Sequence, residues 1–78
     1  MKKVITKDFG ERLNELRIDN NYSMIAFCEL YSERFNGSLN KGTLSKYENG
    51  LQEPLYTTVK RLAELFDVGI NYMIGEDD

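Results

Sequence analysis

Apolar positions recur along this chain at steps of three and four, the period of a helix with one buried face. Phe9, Leu13 and Leu16 form the first such stripe. It ends ahead of Asn20-Asn21, a pair that tolerates the left-handed backbone of a helix exit. Asp8-Phe9-Gly10-Glu11 reads as a capping box at the start of that helix, with Asp8 accepting from the third helical amide and Glu11 reaching back. Ser23 is the next N-cap candidate. Met24, Phe27, Cys28, Tyr31 and Phe35 follow it on one face and predict a second helix to about Phe35. Asn36-Gly37-Ser38 breaks the pattern, and a short third helix is predicted after Asn40, with Leu44 and Tyr47 inward and Asn49-Gly50 as its stop. Pro54 fits the opening of a fourth helix, where its missing amide costs nothing. Leu55, Val59, Leu62, Ala63 and Phe66 line the predicted buried face of that helix. Asp67-Val68-Gly69 interrupts, and Ile70 to Ile74 leaves room for a last turn or two. No segment reads convincingly as a strand. The predicted fold class is all-α, five helices in one domain over 1–78, with a basic tail at 1–7 and an acidic tail at 76–78.

Composition narrows the chemistry. With 41% hydrophobic and 29% charged residues among 78, the chain fits a small soluble globular domain. Cys28 is the single cysteine, so no internal disulfide forms, and its place on the apolar stripe marks it as a small core residue rather than a redox sensor. There is no histidine, which excludes Ser-His and Cys-His catalytic pairs and leaves a poor set of metal ligands. An enzyme would need a carboxylate pair, and no pocket-forming sequence presents one. The expectation is no catalysis, no metal and no cofactor. No apolar run approaches the roughly 20 residues of a membrane helix, and no signal-type block follows Met1-Lys2-Lys3. A cytoplasmic location is expected.

The net charge of −3 argues at first against nucleic acid, because phosphate binding is driven by Lys and Arg displacing counterions. The distribution changes that picture. Residues 1–50 carry eight basic and seven acidic side chains, whereas 51–78 carry two basic and six acidic. Arg34 to Tyr47 holds Arg34, Lys41 and Lys46 and no carboxylate, and the tail adds Lys2, Lys3 and Lys7. A locally positive face is compatible with an acidic molecule, and so is ordinary solvated charge.

Two short helices joined by a turn match the pattern of a helix-turn-helix DNA reader. Thr43-Leu44-Ser45-Lys46-Tyr47-Glu48-Asn49-Gly50, with Pro54 four residues beyond the glycine, resembles the recognition-helix signature of the Cro/repressor-type (XRE-like) helix-turn-helix family. Val59, Leu62 and Ala63 resemble its fourth-helix core, Val68 to Gly75 its fifth-helix ending, and Leu16-Arg17 the end of its first helix. The resemblance spans about 8–75 and implies a compact five-helix bundle of the lambda-repressor-like type. It implies a sequence-specific regulator, similar to a small phage or bacterial repressor, bound to a double-stranded DNA operator. Lys41, Gly42, Thr43, Ser45 and Lys46 fall where the family reads bases. Ser23, Met24, Asn40 and Asn49 fall where it holds phosphate, with Arg34 a further candidate. Glu48 would pair with Arg17 and tie the third helix to the first. A homodimer through helix 5 is also implied, with Ile70, Tyr72, Met73 and Ile74 as an exposed apolar patch and Tyr56 beside it. The alternative is a protein-interaction module on the same fold, an antitoxin or anti-repressor partner.

Three departures weaken the expected contact with DNA. Met24 stands where the family commonly has a glutamine, and methionine replaces none of its hydrogen bonds. About six extra residues, Glu33 to Ser38, lie between helices 2 and 3. They read as an extension of helix 2 plus a loop, with Phe35 inward and Arg34 and Ser38 within reach of a flanking phosphate. The loop before helix 4 contains Glu53, which repels phosphate.

Overall fold

A computed structural model of the chain describes residues 7–75, with side chains from Phe9 onward. The acidic tail and all of the basic tail except the backbone of Lys7 lie outside the described residues. The chain forms α1 (Lys7–Asp19), α2 (Met24–Phe35), α3 (Lys41–Glu48), α4 (Tyr56–Leu65) and α5 (Ile70–Met73), with no strand among the described residues.

The helix ends follow from local chemistry. Helix α1 is already under way at Lys7, so the expected capping box at Asp8 does not mark its start. Its exit uses Asn21 at φ 63°. There the amide of Tyr22 donates back to the Arg17 carbonyl at 3.0 Å, a Schellman closure that satisfies an orphan carbonyl. Ser23 caps α2 by accepting from the Ala26 amide at 3.1 Å, and α2 stops at Asn36, whose φ of 51° lies in the left-handed region. Helix α4 differs from expectation. Leu55 is its N-cap with no side-chain cap bond, so Pro54 sits one residue outside the helix and is buried instead of opening the first turn. Leu55, expected inside, is 77% exposed.

One core joins all five helices. Phe9, Leu13, Phe27, Leu44, Leu62, Val59 and Met73 are fully buried, and Leu16, Phe35, Phe66 and Ile70 pack against them. Phe27 is the hub, stacked on Phe66 with ring centroids 5.1 Å apart and tilted against Tyr22 at 5.9 Å. Cys28 is buried, and desolvation raises its thiol pKa, which keeps it an unreactive core residue.

The expected helix-5 patch is corrected by this packing. Met73 is wholly buried and Ile74 nearly so, because α5 is covered by both α4 and α1. Ile70 is half-buried. Tyr72 is partly covered by Arg12, whose guanidinium lies 4.5 Å from the ring centroid.

Helix α1 reaches α3 through Gly10. A Cβ there would lie 2.6 Å from the carbonyl oxygens of both Tyr47 and Glu48. These are backbone atoms that cannot rotate aside. Gly10→Ala is therefore expected to be a net loss. Overpacking of about 1–3 kcal/mol, forced against backbone, outweighs the ~1 kcal/mol of helix propensity gained. Urea unfolding reads the difference directly.

Candidate nucleic-acid interface

The polar face of α3 is built by a cap at one end and an ion-pair network at the other. Asn40 precedes the helix in extended geometry, and its Oδ1 accepts from the Thr43 amide at 2.8 Å. Asn40→Ala removes that bond and is expected to cost about 0.5–2 kcal/mol, seen as a lowered thermal midpoint. Leu44, Tyr47 and Glu48 are buried, while Lys41, Gly42 and Lys46 are exposed and Thr43 and Ser45 half-buried. Tyr47 packs edge-on to Phe9 at 6.5 Å, and desolvation raises its phenol pKa.

At the far end, the Glu48 carboxylate is held from three directions. Arg17 Nε donates to Oε2 at 2.7 Å and Arg17 Nη2 to Oε1 at 3.1 Å. Asn14 Nδ2 donates to Oε1 at 2.9 Å. Arg17 Nη1 donates to the Tyr22 carbonyl at 2.8 Å. The guanidinium thus spans α1, the α1–α2 turn and the end of α3. Its hydrogen bond to Glu48 raises the Arg17 pKa against the opposing pull of burial. No buried side-chain nitrogen or oxygen among the described residues is left without a partner. This satisfaction is what makes a buried ion pair tolerable. Asn14 was absent from the sequence reading, because an asparagine within a helix carries no signal of what it faces.

The remaining expected contacts fall around α3 with differing capacity. Ser23 opens α2, leaving the amides of Met24 and Ile25 as outward donors of that first turn. Asn49 is exposed but folds back, its Nδ2 donating to the Ser45 carbonyl at 2.8 Å and to Ser45 Oγ at 3.3 Å. Gly42 presents only backbone, and a Cβ there would come within 3.3 Å of the capping Asn40 Oδ1. Arg34 turns toward α4. It lies 3.8 Å from Glu64, both side chains being more than half exposed, so the pair contributes little. Arg34 and Arg61 also approach the Phe35 ring, at 5.9 and 5.4 Å from its centroid, while Tyr31 packs on the same ring at 5.1 Å. The extra segment is therefore fastened to α4, with buried Leu39 as a second anchor that an isolated loop leucine did not reveal.

Carboxylates flank the face more closely than the local sequence suggested. Glu29 and Glu33 share a groove with Lys41, Ile25, Cys28 and Leu39. Glu11 and Glu15 line a recess with Met24 and Asn49. Both pairs come from neighbouring helices, so the run from Arg34 to Tyr47 did not show them. Within a Debye length of about 8 Å they oppose phosphate and limit the affinity of a single copy. Among the described residues no cluster of His, Cys, Asp or Glu is placed to hold a metal, and no helix is long and apolar enough to cross a membrane.

A helix-turn-helix family model matches residues 13–73, a span that begins within α1 and ends with α5. Among solved structures, the crystal structure of the DNA-binding domain of BldD is similar at a TM-score of 0.70 and 19% identity, covering 95% of this chain and 99% of that one. At that identity the likeness speaks for the fold. A search of curated proteins finds no match. With α2 and α3 forming the helix-turn-helix at the centre of the matched span, the chain belongs to the XRE-type helix-turn-helix family, a family of DNA-binding regulators rather than enzymes.

Proposed function

We propose that the protein is a sequence-specific, repressor-like transcriptional regulator that reads the major groove of double-stranded DNA with α3. The observation that carries the reading is the outward polar face of a capped helix, whose opposite side is locked by Leu44, Tyr47 and the Arg17–Glu48 network. Lys41 and Lys46 donate to guanine O6 and N7, Thr43 and Ser45 contact base edges, and Gly42 lets the helix approach a thymine methyl. Ser23, the α2 amides and Asn40 hold phosphate and set register, with Met24 offering only its backbone there. Two copies occupy a near-palindromic operator with their recognition helices one turn apart, about 34–36 Å. No cofactor or small molecule is required.

The competing reading is a protein-interaction module on the same fold, and the carboxylates beside α3 favour it. Salt dependence separates the two. DNA recognition is expected to give binding to random duplex at low salt that falls steeply as salt rises. Selection from a random duplex pool is expected to recover an inverted repeat. A chain that binds no duplex at low salt belongs to the competing reading.

A further inference from the structure

The largest exposed apolar side chains gather in one hexapeptide. Leu51, Leu55 and Tyr56 are 76%, 77% and 68% exposed, and all lie between the end of α3 and the first turn of α4. The segment is firmly held. Gly50 turns at φ 71°, the Leu51 amide donates to the Lys46 carbonyl at 2.8 Å, and Pro54 is buried. Leu55 also occupies an N-cap, where Ser, Thr, Asp or Asn would accept a helix amide and leucine accepts none. The chain forgoes a cap there and keeps a solvent-facing hydrocarbon.

We propose that this surface is where a second copy of the chain docks, in place of the helix-5 surface whose apolar side chains the core has taken up. Three observations select that occupant. The patch is continuous with the proposed DNA face, since Leu51 is hydrogen-bonded to α3 itself. It has little to offer the duplex, being hydrocarbon beside the exposed carboxylate of Glu53. The domain measures 35 × 24 × 22 Å, so two copies reading major grooves about 34–36 Å apart on one face of DNA are within touching distance. An isologous contact brings each patch against itself, which suits an uncharged centre. The three side chains expose on the order of 400 Å² per copy, about half of the ~800 Å² per partner in a standard interface. Pairing is therefore weak in free solution and is completed on the operator, whose binding becomes cooperative.

The inference rests on the DNA-binding reading for its geometry, and the test keeps the two apart. Leu55→Asp supplies the missing N-cap, so the fold is retained while a like charge enters the centre of the patch. Leu51→Asp is the second variant. Sedimentation equilibrium without DNA, up to millimolar protein, is expected to show weak self-association of the wild type. Either variant is expected to raise its dissociation constant at least about tenfold, with an undiminished thermal midpoint for Leu55→Asp. On the selected duplex, the wild type is expected to bind as a cooperative pair and the variants as independent single copies. Pairing of wild type and variants to the same extent overturns the inference, as does wild type that stays monomeric both free and on DNA. Association that depends on the patch in a protein that binds no duplex retains the inference and removes the DNA reading.

Discussion

Replacing Glu48 by alanine is expected to lower the unfolding free energy by about 3–5 kcal/mol, the range for removing one partner of a buried ion pair. The side chains of Arg17 and Glu48 are only 10% and 4% exposed, so solvent does little to replace what is lost. The variant strands three donors at once, Arg17 Nε, Arg17 Nη2 and Asn14 Nδ2. A small domain has roughly 5–15 kcal/mol in hand, so the loss takes a large share. Arg17→Ala is expected to fall in the same range, and Arg17→Lys to rescue it poorly, since an ammonium cannot make the two-pronged contact and still reach the Tyr22 carbonyl. Equilibrium urea unfolding measures all three. Losses under about 1 kcal/mol for both alanine variants would mean that α3 is held by its apolar face alone.

The consequence for function is positional. Glu48 is the last residue of α3 and Arg17 belongs to the last turn of α1, so the pair fixes the recognition helix relative to the scaffold that carries Ser23. A shift of α3 of even an ångström would move Lys41 and Lys46 off the base edges while leaving the exposed charge unchanged.

How much of this was legible in the sequence depended on whether one residue's environment was set locally. The ends of α2 and α3 were legible, because Ser23, Asn36, Asn40 and Asn49-Gly50 act on their own backbone. The inward positions Leu13, Phe27, Leu44 and Leu62 followed from the 3.6-residue period. The opening of α4 was misplaced because Pro54 suits both a first turn and the residue before a cap, and an uncapped leucine start has no sequence signal. The helix-5 patch was overestimated because a short apolar run does not say how many neighbours cover it, and α5 is covered from two sides. Gly10 against α3, Asn14 on Glu48 and the acidic flanks of Lys41 and Met24 depend on contacts between helices, which a periodic pattern on one helix does not encode. The Arg17–Glu48 pairing was suggested by resemblance alone, and nothing in the spacing implied the third donor from Asn14.

The double variant Lys41→Ala with Lys46→Ala is expected to have the largest effect on recognition. Each base contact contributes about 1–3 kcal/mol of discrimination, so losing both is expected to reduce preference for the selected sequence over random duplex at least about 30-fold. Both side chains are exposed and make no hydrogen bond or ion pair among the described residues, so the thermal midpoint is expected to hold. The salt slope of operator binding is expected to fall as well, because two cations leave the interface. Competition binding at fixed salt, beside a thermal melt of the same sample, separates lost recognition from lost folding.

The central claim is that the outward face of α3 meets the duplex, and amide chemical-shift mapping tests it most directly. On titration of the isotope-labelled protein with the selected duplex, the largest shifts are expected at the amides of Lys41–Lys46, with a second group at Ser23–Ala26 where α2 begins. Shifts confined to other surfaces, with the amides of α3 unmoved at saturation, would contradict the account.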